Sequence, residues 1–276
     1  MKHKGSPKVE IIATGDELIY GRVLDTNSNW LSKRLAEIGA ELRRVTMVGD
    51  DYDDIADALH GALQRDPEII LFTGGLGPSE DDFTVDAIGK ALGINVVLDQ
   101  TTLDKIIAIY TRRGTTDTAS INRGKRMARV LEGSKPLSNS VGMSVSMMLE
   151  CNKKLIFTMP GIPLEVQGIF NEHIAPVIES KSTKKLVGRT FMVTMVWRDF
   201  FTLYRQLQSD FPDVYIKNAA TPPSKDDEDR GMVRTIKVDI VVQDETKEKA
   251  IRKMEEFIDH YQKRIIEAGG GTIYSA

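Results

Sequence analysis

The stretch Ile69-Ile70-Leu71-Phe72-Thr73-Gly74-Gly75-Leu76-Gly77-Pro78-Ser79-Glu80-Asp81-Asp82-Phe83-Thr84-Val85-Asp86 decides the fold. Four consecutive apolar residues, Ile69 to Phe72, read as a strand buried on both faces, and three glycines by position 77 end it in a sharp turn. A helix follows, with Asp82 or Thr84 as its N-cap. Val85, Ile88 and Leu92 share one face, and Gly93 sits where a left-handed C-terminal residue is wanted. Strand, glycine turn and helix N-terminus together aim free backbone N–H groups at one spot, which suits a phosphate or another anion. Glu80, Asp81 and Asp82 repel such a ligand unless a Mg²⁺-type cation sits between them, held by one or two carboxylates and the phosphate oxygens.

Around this stretch the first half alternates strands and helices. Val9 to Ala13 is strand one, left through Thr14-Gly15-Asp16-Glu17. A helix from about Asn27 buries Leu31, Leu35 and Ile38 and stops at Gly39. Glu41 to Val48 is strand two, closed by Gly49-Asp50-Asp51. The next helix carries Ile55, Leu59, Ala62 and Leu63 on one face and ends at Asp66-Pro67. This order predicts an α/β domain of three layers, a parallel sheet with right-handed crossovers and helices on both faces. Ligands of such sheets lie beyond the carboxyl ends of the strands, where Asp16 and Glu17, Asp50 and Asp51, and Asp81 and Asp82 converge.

Further on, Asn95 to Leu98 reads as a strand and Thr101 to Arg113 as a helix. Arg123, Lys125, Arg126 and Arg129 form a local basic cluster. Ser144 to Glu150 and Lys154 to Met159 read as a hairpin, and Pro160-Gly161-Ile162-Pro163 opens a helix. The polar run Glu179 to Lys185 marks a domain boundary, giving domains 1–180 and 181–276. After it, strand, helix, two strands, helix and strand give a smaller α+β domain in βαββαβ order. Its long helix repeats Ile251, Met254, Ile258, Tyr261 and Ile265. Between its middle strands Thr221 to Gly231 reads as a mobile surface loop.

The 276 residues carry 28% charged and 41% apolar side chains with a net charge of -3, the profile of a soluble globular protein without the basic excess of a nucleic-acid binder. A single cysteine, Cys151, excludes an internal disulfide framework and fits a reducing cytoplasm. The apolar run after the basic start is too short for a signal h-region, and no run reaches membrane-spanning length.

Gly15-Asp16-Glu17-Leu18 with Gly21 and Asp25-Thr26-Asn27, Val48-Gly49-Asp50, Thr73-Gly74-Gly75-Leu76-Gly77-Pro78 with Asp81, Asp82 and Thr84, and Pro160-Gly161-Ile162-Pro163 with Glu165 resemble the CinA family in one order from about Lys8 to Ile178. The first domain also resembles the molybdopterin-binding fold of MogA and MoaB proteins, and the second is similar to the KH-like middle domain of CinA proteins. The resemblance implies metal-dependent hydrolysis of the pyrophosphate of a nucleotide-like substrate such as ADP-ribose. The more distant one implies, alternatively, molybdopterin binding or adenylyl transfer without hydrolysis. It further implies Asp82 and Asp50 as catalytic residues, and Asp82, Asp50, Asp81 and Asp16 as ligands of Mg²⁺, Mn²⁺ or Co²⁺. Thr73, Gly74, Gly75, Gly77, Ser79, Thr84, Asn139, Gly142, Pro160 and Gly161 are the implied ligand contacts.

A small nucleotide or pterin ligand, a homo-oligomer and no membrane partner are expected. The chain ends before the third CinA domain, so deamidation of nicotinamide mononucleotide is not expected. No Gly-x-x-Gly follows Gly188, so nucleic acid is not an expected partner either. Each reading has a plainer competitor. An acid near a helix N-terminus is stabilising without any ligand, the glycines serve any tight connection, and the basic cluster serves as a solvated helix face. No Gly-Lys-Ser or Gly-Lys-Thr follows the turn, which excludes a Walker loop. His60, His173 and His260 lack ligand spacing, and Cys151 has no nearby base.

Overall fold

The computed structural model describes residues 5–115, 117–219, 233–269 and 273–275. The expected surface loop Thr221 to Gly231 lies outside the described residues. The chain divides into two compact units, one built from Ser6–Ala36 and Ala40–Ser182, the other mainly from Thr183 onward.

In chain order the first unit holds β1 (Lys8–Thr14), α1 (Asp16–Ile19), α2 (Thr26–Glu37), β2 (Glu41–Val48), α3 (Tyr52–Arg65), β3 (Ile69–Thr73), α4 (Thr84–Leu92) and β4 (Val96–Leu98). There follow α5 (Gln100–Arg112), α6 (Thr118–Met127), β5 (Arg129–Leu131), β6 (Lys135–Leu137), β7 (Ser146–Cys151), β8 (Lys154–Met159), α7 (Pro163–Ile169), a π-helical turn Phe170–Ile174 and α8 (Ala175–Lys181). Six strands form one sheet in the order β2-β1-β3-β8-β7-β6. The four strands β2, β1, β3 and β8 are parallel, and β7 and β6 add antiparallel pairs, so the sheet is mixed at one side. The hairpin β7–β8 turns through Asn152 and Lys153, both at positive φ (51° and 64°), the primed turn that matches strand twist.

β3 lies between β1 and β8, and Ile69, Ile70, Leu71 and Phe72 are all 0% exposed. An unbroken apolar run is what a doubly covered strand requires. On one face Ile55 and Leu59 of α3 and Ile88 of α4 pack with Ile12, Ile70, Phe72 and Ile156. Ile11 and Leu71 are fully buried outside that cluster, so the opposite face is covered too. α2 buries Leu31 and Leu35, and its Trp30 meets Phe170 edge to face with ring centroids 5.6 Å apart. β4 and β5 form a separate two-stranded ribbon.

The second unit contains β9 (Lys185–Val196), α9 (Trp197–Asp210), β10 (Tyr215–Ala219), β11 (Val233–Asp244), α10 (Lys247–Glu267) and β12 (Ile273–Ser275). Its sheet, β10-β11-β9-β12, is antiparallel throughout, the split βαβ arrangement expected from the element order. The buried stripe of α10 is Ala250, Met254, Phe257, Tyr261 and Ile265. Ile251 and Ile258 are only half-buried at its margin, which rotates the stripe slightly from the expected repeat.

Candidate functional site

The chain leaves β3 through Gly74 and Gly75, both at positive φ (104° and 64°). A β-carbon on Gly74 would lie 2.2 Å from the carbonyl oxygen of Thr14, and one on Gly75 would lie 2.0 Å from Thr84 Oγ1. Only glycine fits both the backbone conformation and the space. Gly74 N–H donates to the Met159 carbonyl (3.0 Å), Thr84 N–H donates to the Gly75 carbonyl (3.2 Å), and the hydroxyls of Thr14 and Thr84 share a hydrogen bond of 3.1 Å. These bonds fix the turn against the ends of β1 and β8. The N–H groups of Gly75, Leu76 and Gly77 take no protein acceptor among the described residues, and all three residues line a cleft of about 460 Å³. Unclaimed N–H groups at a strand-to-helix turn are what an anion needs.

The expected N-cap is corrected by the structure. α4 begins at Thr84 with Phe83 in the cap position, and no side chain caps it. Asp82 instead turns back and accepts the Ser79 N–H at 2.8 Å, closing the loop before the helix. The Asp82 carbonyl accepts Arg129 Nη2 at 2.6 Å, and Arg129 Nη1 pairs with Asp86 at 2.6 Å. Arg129 therefore pins the start of α4 and is neither a solvated charge nor a phosphate ligand.

Among the described residues five carboxylates line the cleft, those of Glu17, Asp50, Asp81, Asp82 and Glu165, and no lysine, arginine or histidine does. Asp50 and Asp16 exchange hydrogen bonds, each backbone N–H donating to the other's carboxylate at 3.1 Å. Burial pushes the Asp50 carboxyl above its ordinary value. The neighbouring charges of Asp16, Glu17 and Asp81 add to the rise, and the Asp16 N–H opposes it. Asp51 faces away and caps α3, accepting the N–H groups of Asp53 (2.8 Å) and Asp54 (3.0 Å). The three acidic pairs thus converge only in part, because Asp16 and Asp51 line a neighbouring depression beside β2. Among the described residues no three acidic, histidine or cysteine side chains are grouped as a ready metal-ligand set. The donors present are hard oxygens, and they fit an ion that the ligand's own oxygens complete.

Residues 10–180 match the family described as the probable molybdopterin binding domain. The chain belongs to this molybdopterin-binding domain family. A protein of Pyrococcus furiosus is 39% identical over 176 residues, which are 62% of this chain and 70% of that one. A competence-damage inducible protein of Caldicellulosiruptor saccharolyticus is 39% identical over 180 residues, 65% of this chain. The chain covers only 43% of that relative's length. The crystal structure of the protein CinA from Thermoplasma acidophilum, described as of unknown function, superposes with a TM-score of 0.56 at 27% identity, over 63% of this chain and 99% of that one. Within the molybdopterin-binding family the chain is therefore CinA-like.

Against this molybdopterin-binding frame, the structure brings together Gly74, Gly75, Gly77, Ser79, Pro160, Gly161, Asp50, Asp81 and Asp82 around the cleft. Thr73 and Thr84 are buried behind the turn, 3% and 0% exposed. Asn139 and Gly142 are not in the lining. Asn139 holds the loop after β6, its side-chain oxygen accepting the N–H groups of Val141 (3.1 Å) and Gly142 (2.8 Å) while its Nδ2 donates to the Ser144 carbonyl (3.2 Å) and to Glu165 of α7. Asn27 Nδ2 donates to the Gly161 carbonyl at 2.7 Å and holds that loop in place. Glu17, one of the acids expected to converge there, lines the cleft, and Glu165, Tyr110, Met127, Met143, Ser144 and Ile162 also line it, beyond the ligand contacts implied by the sequence. For Glu165 a signal existed in the Pro-Gly-Ile-Pro motif. Tyr110 and Met127 lie on amphipathic helices whose patterns do not single them out. No helix among the described residues is long and apolar enough to cross a membrane.

Proposed function

We propose that the cleft binds a phosphorylated nucleotide- or pterin-type molecule through a divalent cation and cleaves its pyrophosphate, with ADP-ribose as the substrate to test first. One observation carries the reading: among the described residues, five carboxylates and no basic side chain line a cleft whose glycine turn offers three unclaimed N–H groups. A phosphate there is repelled by the acids unless a cation intervenes. One or two of Asp82, Asp50 and Asp81 would hold that ion together with the ligand's own oxygens, with Asp16 steadying Asp50. When bound, the ion supplies charge neutralisation, polarisation of the phosphoryl group and a more acidic water. The chain's own part is to grip phosphate oxygens with the N–H groups of Gly75, Leu76 and Gly77. Asp50 or Asp82 orients the attacking water, and the walls from Met127, Met143 and Ile162 limit access of bulk solvent.

The second reading is a binding or adenylyl-transfer protein of molybdenum cofactor chemistry, favoured by the family match over residues 10–180. Incubation with ADP-ribose, and separately with ATP, in Mg²⁺, Mn²⁺ or Co²⁺ separates the two. Release of AMP and ribose 5-phosphate that stops with a chelator supports hydrolysis. Cation-dependent ligand binding without products supports the second reading, and binding of neither compound rejects the hydrolase and the adenylyl-transfer readings.

A further inference from the structure

The cleft holds a buried carboxylate to which the phosphate reading gives no ion-holding role. Glu165 is 8% exposed, lies in the first turn of α7 and lines the cleft. Asn139 Nδ2 donates to its Oε2 at 2.5 Å. Its Oε1 takes no hydrogen bond, and no cationic side chain pairs with Glu165, among the described residues. A buried carboxylate served by a single neutral donor is costly unless more donors arrive.

The surroundings are built for this carboxylate. Asn139 is 4% exposed, and its carbonyl oxygen is fixed by the N–H groups of Val141 and Gly142, so its amide nitrogen must face Glu165. At Gly142 a β-carbon would lie 2.2 to 2.5 Å from the Glu165 carboxyl atoms, so the acid rests flat on a glycine. The loop orients the carboxylate, and the remaining lone pairs belong to the cleft.

We propose that Glu165 is a ligand-binding, specificity-determining residue that accepts two adjacent hydrogen-bond donors of the ligand. The inference rests on the cleft being a phosphate-ligand site. Within the nucleotide- and pterin-type ligands proposed above, such a pair is presented by the ring N–H and amino group of a 2-amino-4-oxo heterocycle such as a pterin, and by the vicinal diol of a ribose. Inorganic pyrophosphate presents neither.

The test compares the parent with Glu165→Gln in Mg²⁺ by calorimetry. Glutamine keeps an oxygen for Asn139 and turns an NH₂ toward the cleft, where a donor then meets a donor. The probes are pyrophosphate, 6-hydroxymethylpterin phosphate, AMP and 2′,3′-dideoxy-AMP. The expected result is pyrophosphate binding that is not weakened, because the variant removes a negative charge and none of the ion-holding carboxylates, together with a loss of tenfold or more for a ligand whose donor pair reaches Glu165. A loss for the pterin phosphate assigns the ring edge. A loss for AMP, matched by weak binding of dideoxy-AMP to the parent, assigns the diol. Equal losses for pyrophosphate and the larger probes, or no loss for any probe, overturn the proposal while leaving the phosphate cleft standing. Failure of the parent to bind pyrophosphate overturns the phosphate reading, and this one with it.

Discussion

At Asp82 the carboxylate accepts the Ser79 N–H at 2.8 Å, a role in which asparagine serves about as well. The charge is what asparagine removes, and a hard divalent ion requires it. Asp82→Asn should therefore keep its thermal stability within about 1 kcal/mol of the parent. Its hydrolysis or cation-dependent binding should fall on the order of a hundredfold, as when a group that positions catalytic charge is lost. Full activity in that variant, read in the ADP-ribose assay, would return Asp82 to a purely local role. Gly75→Ala, by contrast, cannot isolate phosphate contact, because its methyl would lie 2.0 Å from Thr84 Oγ1 at a φ of 64°. It should destabilise by roughly 1–3 kcal/mol, measured by denaturant titration, before any ligand is considered. Asp50 tests the acidic lining in metal-free protein. Its folded carboxyl is raised above the unfolded value, chiefly by burial, so the folded chain holds the extra proton between the two values. Stability from this group is complete below the unfolded value and is lost as pH rises through the folded one. Asp50→Asn retains the acceptor for the Asp16 N–H, so in chelator it should melt above the parent at neutral pH. That gain should vanish as acid protonates Asp50. A constant difference across the acid range would show that its charge is not the cause.

Among the elements, β3 was legible because both of its faces are buried, leaving no polar alternation to confuse its pattern. The crossover helices α3 and α4 were legible through their one-sided apolar spacing, and Gly93 ends α4 at a φ of 67° as its position implies. The start of α4 was not legible. Whether Asp82 caps a helix or closes a turn depends on Arg129, 47 positions away, whose guanidinium claims the Asp82 carbonyl. The same limit hid the pairing of Asn139 with Glu165, which are 26 residues apart and meet only when the loop after β6 folds onto α7. Local pattern carries no information about such partners. Arg129 consequently makes a prediction at this scale. Arg129→Gln leaves Asp86 without its cation and frees the Asp82 carbonyl. It should cost about 1–3 kcal/mol for the hydrogen bonds to a charged group. Ligand binding should weaken as well, since the turn carrying Asp82 loses its anchor to β5. Unfolding curves and cation-dependent binding should move together. Weakened stability with unaltered binding would show that α4 holds the turn without Arg129.

Across the whole molecule, two sheets have separate cores, and the second is closed by its own last strand. β12 pairs with β9 through Ile273 opposite Val193, which completes a four-stranded antiparallel sheet from residues after the boundary alone. Phe200, Leu203 and Leu207 of α9 and Met254, Phe257, Tyr261 and Ile265 of α10 pack with Val193, Val238 and Ile240 of that sheet. A four-stranded sheet whose apolar face is covered by two helices meets the requirement for independent stability. Residues 183–276 expressed alone should therefore unfold in one cooperative denaturant transition. Phe257 is 0% exposed, so Phe257→Ala should lower the fragment's stability by about 3–5 kcal/mol, the cost of an aromatic-sized core cavity. The same fragment lacks the Gly-x-x-Gly clamp that a KH-type RNA site uses. It should show no salt-sensitive retention of single-stranded RNA at micromolar concentration. A gradual, non-cooperative melt would tie the second core to the first unit. Salt-sensitive RNA binding that survives Phe257→Ala would argue for a surface that neither the sheet nor its sequence motifs reveal.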